Sequence, residues 1–520
     1  MAFLSTLLGL LSPKALVVGV IMGLITNYIY HRLKYKLPPG PWAIPLIGNW
    51  SIYSKTTMHR EVAKLTDTYG PVIRIKFGPS DMIFLNSTEV VLEALVKKKA
   101  DFGSRPSFKS AEIFSQGGKN IFFAPYSATW KFQKKVAGRA LRYYMQGMQL
   151  ENMINDVCGQ IFERISKETE PVQINKILDK MVIHMLYSMC FGRKCNLEDK
   201  DVDRILQMNL ELLDKFSSGF LEDIIPGMTS VYKTERWKEF EKITQDLISF
   251  LEGELKQHKD TFDSSNIRDY TDSILMAREE AETEEREEDA AMLSDVYIVQ
   301  ILSDIFFAGL DTTRMILDWF LSYMVSYPEY QDKCQEVIDK VLGLAGMLKA
   351  YKWKIFSGES KTAAVKDRPS LCFVEACIME TLRMGSVTAI GVPHSTICDT
   401  SVGGYDIPKG TMVVINHWAL HNDRHYWKDV DTFNPYRYLT KDGKLDAKPE
   451  NWLPFSAGRR VCLGEPVAKT ELLLLASNLL RNFRFKAPSG EKYMTQWKCT
   501  FPGAEVPADY KVVVEKRTKD

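Results

Sequence analysis

The stretch that decides the fold runs from Phe455 to Leu475 and reads FSAGRRVCLGEPVAKTELLLL. Its first half is a loop bracketed by Gly458 and Gly464, and Pro466 then predicts the first turn of a helix. Cys462 therefore lies at a predicted helix N-terminus. Unpaired N–H groups and the helix dipole favour a thiolate there, which is the form of cysteine that attacks substrates or binds metal. The alternative for an isolated cysteine is a buried structural side chain.

The loop has the spacing Phe-x-x-Gly-x-Arg-x-Cys-x-Gly, filled by Phe455, Gly458, Arg460, Cys462 and Gly464. This spacing resembles the haem-binding loop of the cytochrome P450 superfamily. The resemblance implies haem b as cofactor, with Cys462 as the axial thiolate and metal ligand. It also implies that Arg460 pairs with a haem propionate and that Phe455 belongs to the cofactor-binding loop. The fold it implies is mostly α with small β-sheets.

Composition limits the classes to which this loop can belong. The chain has 520 residues, of which 45% are hydrophobic, so it can bury a large core. Lys and Arg number 67 against 66 for Asp and Glu, so bulk charge gives no case for a nucleic-acid partner. The nine cysteines include no Cys-x-x-Cys pair, which leaves zinc ribbons and c-type haem attachment without support. A reducing, cytosol-facing compartment fits best.

The N-terminal residues predict a membrane anchor. Ala15 to Tyr30 is apolar, and basic residues follow directly up to Lys36. A cleaved signal peptide would instead carry its positive residues before the apolar run. We therefore expect a single transmembrane helix and basic flank in residues 1–36, a proline-rich hinge in 37–48 and a catalytic domain in 49–520. The predicted location is the endoplasmic reticulum membrane, single-pass, with the catalytic domain facing the cytosol.

Three residues in the first third of the chain are further cofactor candidates: Arg105, Trp130 and Lys134. FGSRPSF contains Arg105, and ATWKFQKKVAGRALRYY predicts a helix with Trp130 and Lys134 one turn apart. In the resembled family, a Trp and an Arg at these helix positions bind a propionate. Arg105 is a further cofactor candidate. Lys134 keeps the charge but lacks the bidentate guanidinium. A second stripe of the same helix is wholly basic and is either a solvated face or a partner surface: Lys131, Lys135, Arg139 and Arg142.

A long apolar helix is predicted from the N-cap Ser294 to about Ser326. A second transmembrane span is the rival, but four charged residues make it costly: Asp304, Asp311, Arg314 and Asp318. The sequence AGLDTT within it matches the family's oxygen-binding turn, which implies that Asp311 and Thr312 are the catalytic acid and alcohol. The alternative is a small-residue packing site with the threonine bonded to its own helix.

Later motifs follow in the family's order. Glu380 and Arg383 are spaced to meet on one helix face, and Arg437 stands in FNPYRYL. The resemblance implies a buried charged triad of these residues that supports the cysteine loop. His394 falls where microsomal members place a propionate-contacting residue, and a surface-turn histidine is the alternative.

Together these motifs imply a haem-thiolate monooxygenase that inserts one atom of O2 into a lipophilic steroid or xenobiotic. The sequence is closest to animal microsomal members, of the steroid 17-hydroxylase-like and aromatic-hydrocarbon-oxidising branches. No P-loop, dinucleotide motif or iron–sulfur cluster is encoded, so another protein must supply electrons. The implied partners are NADPH–cytochrome P450 reductase, with cytochrome b5 as a second candidate.

Two other activities compete with this prediction. An oxygen-independent haem-thiolate isomerase or dehydratase would have no use for Asp311 and Thr312. A hydrolase with a cysteine nucleophile would need a base, and neither His394 nor His417 stands in a recognisable nucleophile signature.

Overall fold

The computed structural model describes residues 19, 22, 26, 33–44, 47–146, 149–194, 196–217, 219–225, 227–350, 362–489, 497–501 and 503–517. Most of the predicted membrane anchor in 1–36, and Pro45 and Leu46 of the predicted hinge, lie outside the described residues. The predicted anchor is helical at the five positions that are described before residue 35, namely 19, 22, 26, 33 and 34.

The described part of the chain is mostly helical, as predicted. Its α-helices are α1 Trp50–Tyr53, α2 Met58–Lys64, α3 Thr66–Tyr69, α4 Thr88–Leu92, α5 Lys109–Phe114, α6 Ala128–Gln146, α7 Gln149–Ile165, α8 Ile174–Phe191, α9 Lys200–Ser217, α10 Leu221–Ile224, α11 Met228–Val231, α12 Glu235–Asp260, α13 Tyr270–Thr283, α14 Glu287–Ala291, α15 Asp295–Ser326, α16 Pro328–Ala350, α17 Cys372–Gly385, α18 His417–His421 and α19 Glu465–Asn482. A π-helical turn, Glu93–Lys97, continues α4, and 3₁₀ turns occupy Val365–Ser370, Pro435–Tyr438 and Gly458–Arg460.

The strands form small sheets. They are β1 Val72–Phe77, β2 Ser80–Leu85, β3 His394–Ser395, β4 Thr400–Val402, β5 Tyr405–Ile407, β6 Met412–Ile415, β7 Phe483–Lys486, β8 Trp497–Phe501, β9 Ala504–Pro507 and β10 Val513–Lys516. The largest sheet has the order β1-β2-β6-β3, and β2 runs parallel to β6. β1 and β2 form an antiparallel hairpin in which Ile73 pairs with Phe84, at the edge of this sheet. Three two-stranded antiparallel pairs, β4-β5, β7-β10 and β8-β9, complete the β structure.

Helix α15 is the centre of the core. It spans 32 residues after the N-cap Ser294, as the apolar pattern predicts. Among the described residues it alone is long and apolar enough to cross a membrane, yet 67% of its most apolar window is buried by the rest of this protein. It packs against α8, α12, α17 and α19. Burial by four helices confirms the prediction of a central helix and explains how an apolar segment of this length occurs in a globular domain.

The predicted charged triad of Glu380, Arg383 and Arg437 is present. Both oxygens of the Glu380 carboxylate accept hydrogen bonds from Arg383, each at 2.8 Å, and Oε1 also accepts from Arg437 Nε at 3.1 Å. Asn434 N and the Tyr438 hydroxyl donate to the same carboxylate at 3.0 Å. Glu380 and Arg383 are fully buried, so five donors compensate an anion that water does not reach. The triad ties α17 to the segment that precedes the cysteine loop.

Candidate active site

The cysteine loop is closed by its own backbone. Cys462 N donates to the Phe455 carbonyl at 3.0 Å, which folds the loop back on itself. Gly458 has a φ of +71°, and a Cβ placed there would lie 1.9 Å from the Leu95 carbonyl oxygen. Only glycine fits such an approach. The chain then enters α19 through Gly464, with proline in the first turn of the helix as predicted.

The Cys462 thiol lies at the N-terminus of α19. The backbone N–H groups of Gly464 and Glu465 point to its sulfur. Burial raises the pKa of this thiol, while these N–H groups and the Lys134 ammonium act in the opposite direction. The side chain nevertheless has accessible surface of its own. An accessible thiol at a helix N-terminus can bind a metal, whereas a cysteine packed in the core cannot.

Three cationic side chains surround this loop. Arg460 donates to the carbonyls of Gly103, Ile121 and Ala124 at 2.8, 3.1 and 2.6 Å. Lys134 Nζ donates to two carbonyls of the cysteine loop, those of Arg459 at 2.8 Å and Val461 at 2.9 Å. Arg105 donates to the carbonyls of Phe122, Val392 and Pro393 at 3.1, 3.0 and 3.0 Å. Each cation is thus held by backbone carbonyls, which are dipoles and supply no negative charge.

None of the three cations forms an ion pair with a carboxylate in the part of the chain that the structure describes. Burial lowers the pKa of Arg105, Lys134 and Arg460. Repulsion from the neighbouring cations adds to the shift of Lys134 and Arg460. Asp304 and Tyr126 act on the pKa of Arg460 with the opposite sign, and Asp304 forms no ion pair with it. An uncompensated positive cluster beside an accessible thiol fits a dianionic group with a metal. Haem b, with two propionates and an iron, has this chemistry.

Trp130 and His394 complete the set of predicted cofactor residues. Trp130 Nε1 donates to the Ile121 carbonyl at 2.9 Å, and its ring lies under the Arg460 guanidinium at 3.9 Å. His394 Nδ1 donates to the Phe102 carbonyl at 2.8 Å. Burial, with Arg105 and Arg460 nearby, lowers the pKa of His394 to about 3, so it is a neutral donor at physiological pH. It is a buried residue of β3 and not a surface-turn histidine.

Helix α15 presents one accessible stripe in its otherwise buried middle. Ile305, Ala308 and Gly309 are half-buried and Thr312 is exposed, at the spacing of one helix face. Thr312 Oγ1 donates to the Ala308 carbonyl at 2.8 Å, the local bond that was the alternative interpretation of this motif. Asp311 is buried beside it and accepts from Arg314 Nη2 at 2.7 Å. The stripe is therefore the accessible part of the middle of α15, and the acid next to it is held by an arginine.

Sequence reasoning missed the role of Asp304. Its carboxylate accepts from the backbone N–H groups of Ile121 and Phe122 at 2.6 and 3.2 Å and from the Asn120 amide at 2.9 Å. The Ile121 carbonyl in turn accepts from Arg460 and Trp130. The signal in the sequence was an aspartate within an apolar helix, which requires buried donors.

The histidines give no support to a cysteine hydrolase. His394 bonds the Phe102 carbonyl, and His417 Nδ1 lies 3.1 Å from the Thr388 carbonyl. Both are buried and have a lowered pKa. These contacts occupy the Nδ1 atom of each ring with a backbone partner, and the electrostatic influences on Cys462 come from other groups.

Comparison with known proteins agrees with this geometry. Residues 38–511 match the family model described as Cytochrome P450. The chain is 31% identical over 489 residues to the steroid 17-alpha-hydroxylase/17,20 lyase of Squalus acanthias, covering 92% of each chain. It is 31% identical over 470 residues to Cytochrome P450 1A1 of Rattus norvegicus, covering 88% of this chain and 86% of that relative. A solved structure described as "Zebra fish cytochrome P450 another structure with Progesterone" superimposes with a TM-score of 0.76 at 25% identity, over 88% of this chain and 99% of the other.

Proposed function

This chain belongs to the cytochrome P450 family of haem-thiolate monooxygenases, and from that membership we propose that it oxidises a lipophilic substrate with electrons from a membrane-bound reductase. The observation that carries the site assignment is the accessible Cys462 thiol at the start of α19, beside the buried Arg460 and the partly buried Arg105 and Lys134. None of these three cations forms an ion pair with a carboxylate of the described residues. Cys462 would bind the iron as thiolate, and Arg105, Lys134 and Arg460 would bind the propionates. When bound, a haem with an axial thiolate supplies the activation of dioxygen.

We assign proton delivery to Asp311 and Thr312. Thr312 is the polar member of the accessible stripe of α15, and Asp311 is the adjacent acid. The hydroxyl now donates to the Ala308 carbonyl, and a rotation about χ1 would free it to donate away from its own helix. Asp311 then supplies the proton that replaces the one donated by the Thr312 hydroxyl.

We propose that the substrate is a flat, lipophilic molecule. Four phenylalanine rings lie against Phe307, one residue from the accessible stripe, and they are Phe114, Phe122, Phe123 and Phe216. Their ring centroids lie 4.8 to 6.2 Å from that of Phe307. Such walls favour sterols or planar aromatics, and relatives named as a steroid hydroxylase and as Cytochrome P450 1A1 support that range. Ile301 and Phe306 of α15 are buried in the core, where Phe306 stacks on Phe191.

The electron donor is a separate protein in this proposal, an NADPH-dependent flavoprotein reductase, with cytochrome b5 as a second partner. The predicted basic stripe supports it, since Lys131, Lys135, Arg139 and Arg142 are all exposed on α6. The same helix contributes Lys134 to the cysteine loop, so the stripe lies near the metal ligand. The apolar N-terminal stretch and its basic flank support the endoplasmic reticulum membrane as the location, with the catalytic domain on the cytosolic side.

The haem assignment is tested by the carbon monoxide difference spectrum of the reduced protein. The wild type should give the red-shifted band of a thiolate-ligated haem, and Cys462→Ala should lose it. Cys398→Ala, which removes an exposed cysteine of a surface turn, is the matched control and should retain it. A Cys462→Ala protein with an unchanged band and activity would show that another residue is the ligand.

The substrate class is tested with a panel of steroids, polycyclic aromatics and small polar compounds. Binding of the lipophilic members should shift the haem spectrum, and some should be turned over. Spectral shifts and products restricted to the polar compounds would contradict the proposed class.

A further inference from the structure

Arg314 lies among three carboxylates next to the proposed proton-delivery pair. Its Nη2 lies 2.7 Å from Asp311 Oδ1, its Nε 3.1 Å from Asp179 Oδ1 and its Nη1 3.7 Å from Asp318 Oδ2. Asp179 comes from α8 and the other three residues from α15. The exposed fractions of these four side chains range from 5% to 21%. One cation therefore serves three acids in a site that water barely enters.

Such a cluster does not ionise fully without cost. Three carboxylates on one guanidinium leave two negative charges uncompensated, and burial penalises each of them. Burial raises the pKa of Asp179 to about 6, and it does the same for Asp318, while Arg314 acts against both shifts. These acids therefore change charge close to physiological pH, where free aspartates stay ionised.

The other groups that face the cluster come from the C-terminal segment. The Tyr510 hydroxyl donates to Asp318 Oδ1 at 2.8 Å. Lys498 of β8 also acts on Asp318, and it is itself paired with Asp509 at 2.5 Å. A small surface cleft is lined by Gln173, Asn175, Asp318, Pro507, Ala508, Asp509 and Tyr510. Asp318 thus lies at the end of the cluster that borders this cleft, and Asp311 is the end next to Thr312.

We propose that Asp179 and Asp318 are positioning residues for proton delivery, because they share Arg314 with Asp311 and so decide how tightly that arginine holds the Asp311 carboxylate. When both flanking acids are ionised they compete for Arg314, and Asp311 can leave it to accept a proton. When they are neutral, Arg314 stays on Asp311, and an ion-paired carboxylate resists protonation. The proton comes from water in the cleft, resides on a carboxylate of the cluster and leaves through Asp311 toward Thr312, while Arg314 stays charged throughout.

This inference rests on the proposed role of Asp311 and Thr312 and is tested with the haem-loaded protein and its reductase. Asp179→Asn and Asp318→Asn keep the side-chain shape and remove the competing charge. Each should lower kcat and raise the peroxide released per NADPH by about threefold to tenfold, with KM and haem content unchanged. Asp295→Asn removes an exposed carboxylate of the same helix, one that pairs with Lys259 and Arg278, and should leave all of these quantities unchanged.

A pH profile separates positioning from a merely structural role. In the wild type, peroxide release should rise as the pH falls through about 6, because both flanking acids become neutral. In the two Asn variants, peroxide release should be high at every pH.

A second readout needs no turnover. Because burial raises the pKa of Asp179 and Asp318, the protons that they bind stabilise the folded wild type at low pH, and this stability is lost as the pH rises through about 6. The thermal midpoint of each variant in the ferric protein, relative to that of the wild type, should therefore increase between about pH 5 and 7.

The outcomes distinguish this inference from the proposed function. If Asp311→Asn and Thr312→Ala uncouple but Asp179→Asn and Asp318→Asn keep wild-type coupling and pH profile, the positioning role is wrong and the delivery role stands. If Asp311→Asn and Thr312→Ala are also fully coupled, the delivery role itself is wrong. Thermal midpoints that are parallel across the pH range would show that the flanking acids do not titrate there and would overturn the inference.

Discussion

The backbone N–H of Ile121 donates to Asp304 Oδ2 over 2.6 Å, while its carbonyl accepts from Arg460 and Trp130. Both backbone hydrogen-bonding groups of Ile121 are thus used to connect the central helix α15 to the cationic cluster around the cysteine loop. Asp304 is buried and compensated by three donors from residues 120–122. The position of Arg460 therefore depends on an acid in a different element.

We expect Asp304→Ala to weaken retention of the haem. The substitution leaves two backbone N–H groups and the Asn120 amide without an acceptor, at a cost of about 1 to 3 kcal/mol in the free energy of unfolding. The measurements are the thermal midpoint and the rate of haem transfer to an acceptor protein. Asp304→Asn keeps one acceptor oxygen and should lie between Asp304→Ala and the wild type. Equal haem loss from all three proteins would contradict this role.

Asp304 should also make stability depend on pH. Burial raises its pKa to about 7, against the lowering effect of its three hydrogen-bond donors. Because the folded state binds this proton more tightly than the unfolded state, the associated stability is present at low pH and lost as the pH rises through about 7. We expect the thermal midpoint of Asp304→Asn, relative to that of the wild type, to increase between about pH 6 and 8. A constant difference across this range would show that the carboxyl does not titrate there.

Thr312→Ala should bind haem and substrate normally and uncouple NADPH consumption from product formation. The hydroxyl is the polar group on the accessible stripe of α15, and its loss removes a proton donor without removing bulk from the core. The measurement is hydrogen peroxide released per NADPH consumed. Thr313→Ala removes the same atoms from the neighbouring buried position and should leave that ratio unchanged. Thr312→Ser retains the hydroxyl and should restore most of the coupling.

Glu380→Ala should be the most destabilising of these substitutions. It removes an acceptor of five hydrogen bonds and leaves Arg383 buried without its anion, which costs about 3 to 5 kcal/mol. The control is Glu375→Ala on the same helix, whose ion pair with Arg368 is partly exposed, and a loss of about 1 kcal/mol or less is expected. Denaturant unfolding of the two variants measures both values, and similar losses would show that the triad contributes little.

The parts of this site that the sequence predicts are those fixed by local spacing. The bounds of α15, the position of Cys462 before a helix and the Glu380–Arg383 pair each depend on a few consecutive turns of chain. The contacts that it did not predict join distant elements. Asp304 and Ile121 are 183 positions apart, and Arg460 and Gly103 are 357 apart. Residue type identified Asp304 as unusual, but its partners depend on how a loop packs against the core, which no local pattern encodes.

The basic stripe of α6 is exposed but is not wholly unpaired. Arg139 Nη1 lies 3.5 Å from Glu280 Oε2 of α13, and both side chains are exposed, so this ion pair is weak. A surface groove between α6 and α13 is lined by Val136, Arg139, Ala140, Arg142, Tyr143, Ser273, Met276 and Ala277. Positive charge at the rim of a partly apolar groove suits an acidic partner.

We expect Lys135→Glu with Arg139→Glu to slow reductase-driven turnover while leaving peroxide-driven turnover intact. Charge at such a surface acts mainly on the rate of encounter, so the wild type should also lose reductase-driven rate as salt rises, and the double variant should lose less. Lys238→Glu reverses an exposed lysine of α12 that pairs with Glu235, and it should leave both rates unchanged. Turnover assayed with saturating and with limiting reductase separates docking from chemistry, because a docking defect is relieved at saturation. If both kinds of turnover fall equally, or neither falls, the stripe is a solvated helix face and the reductase docks elsewhere.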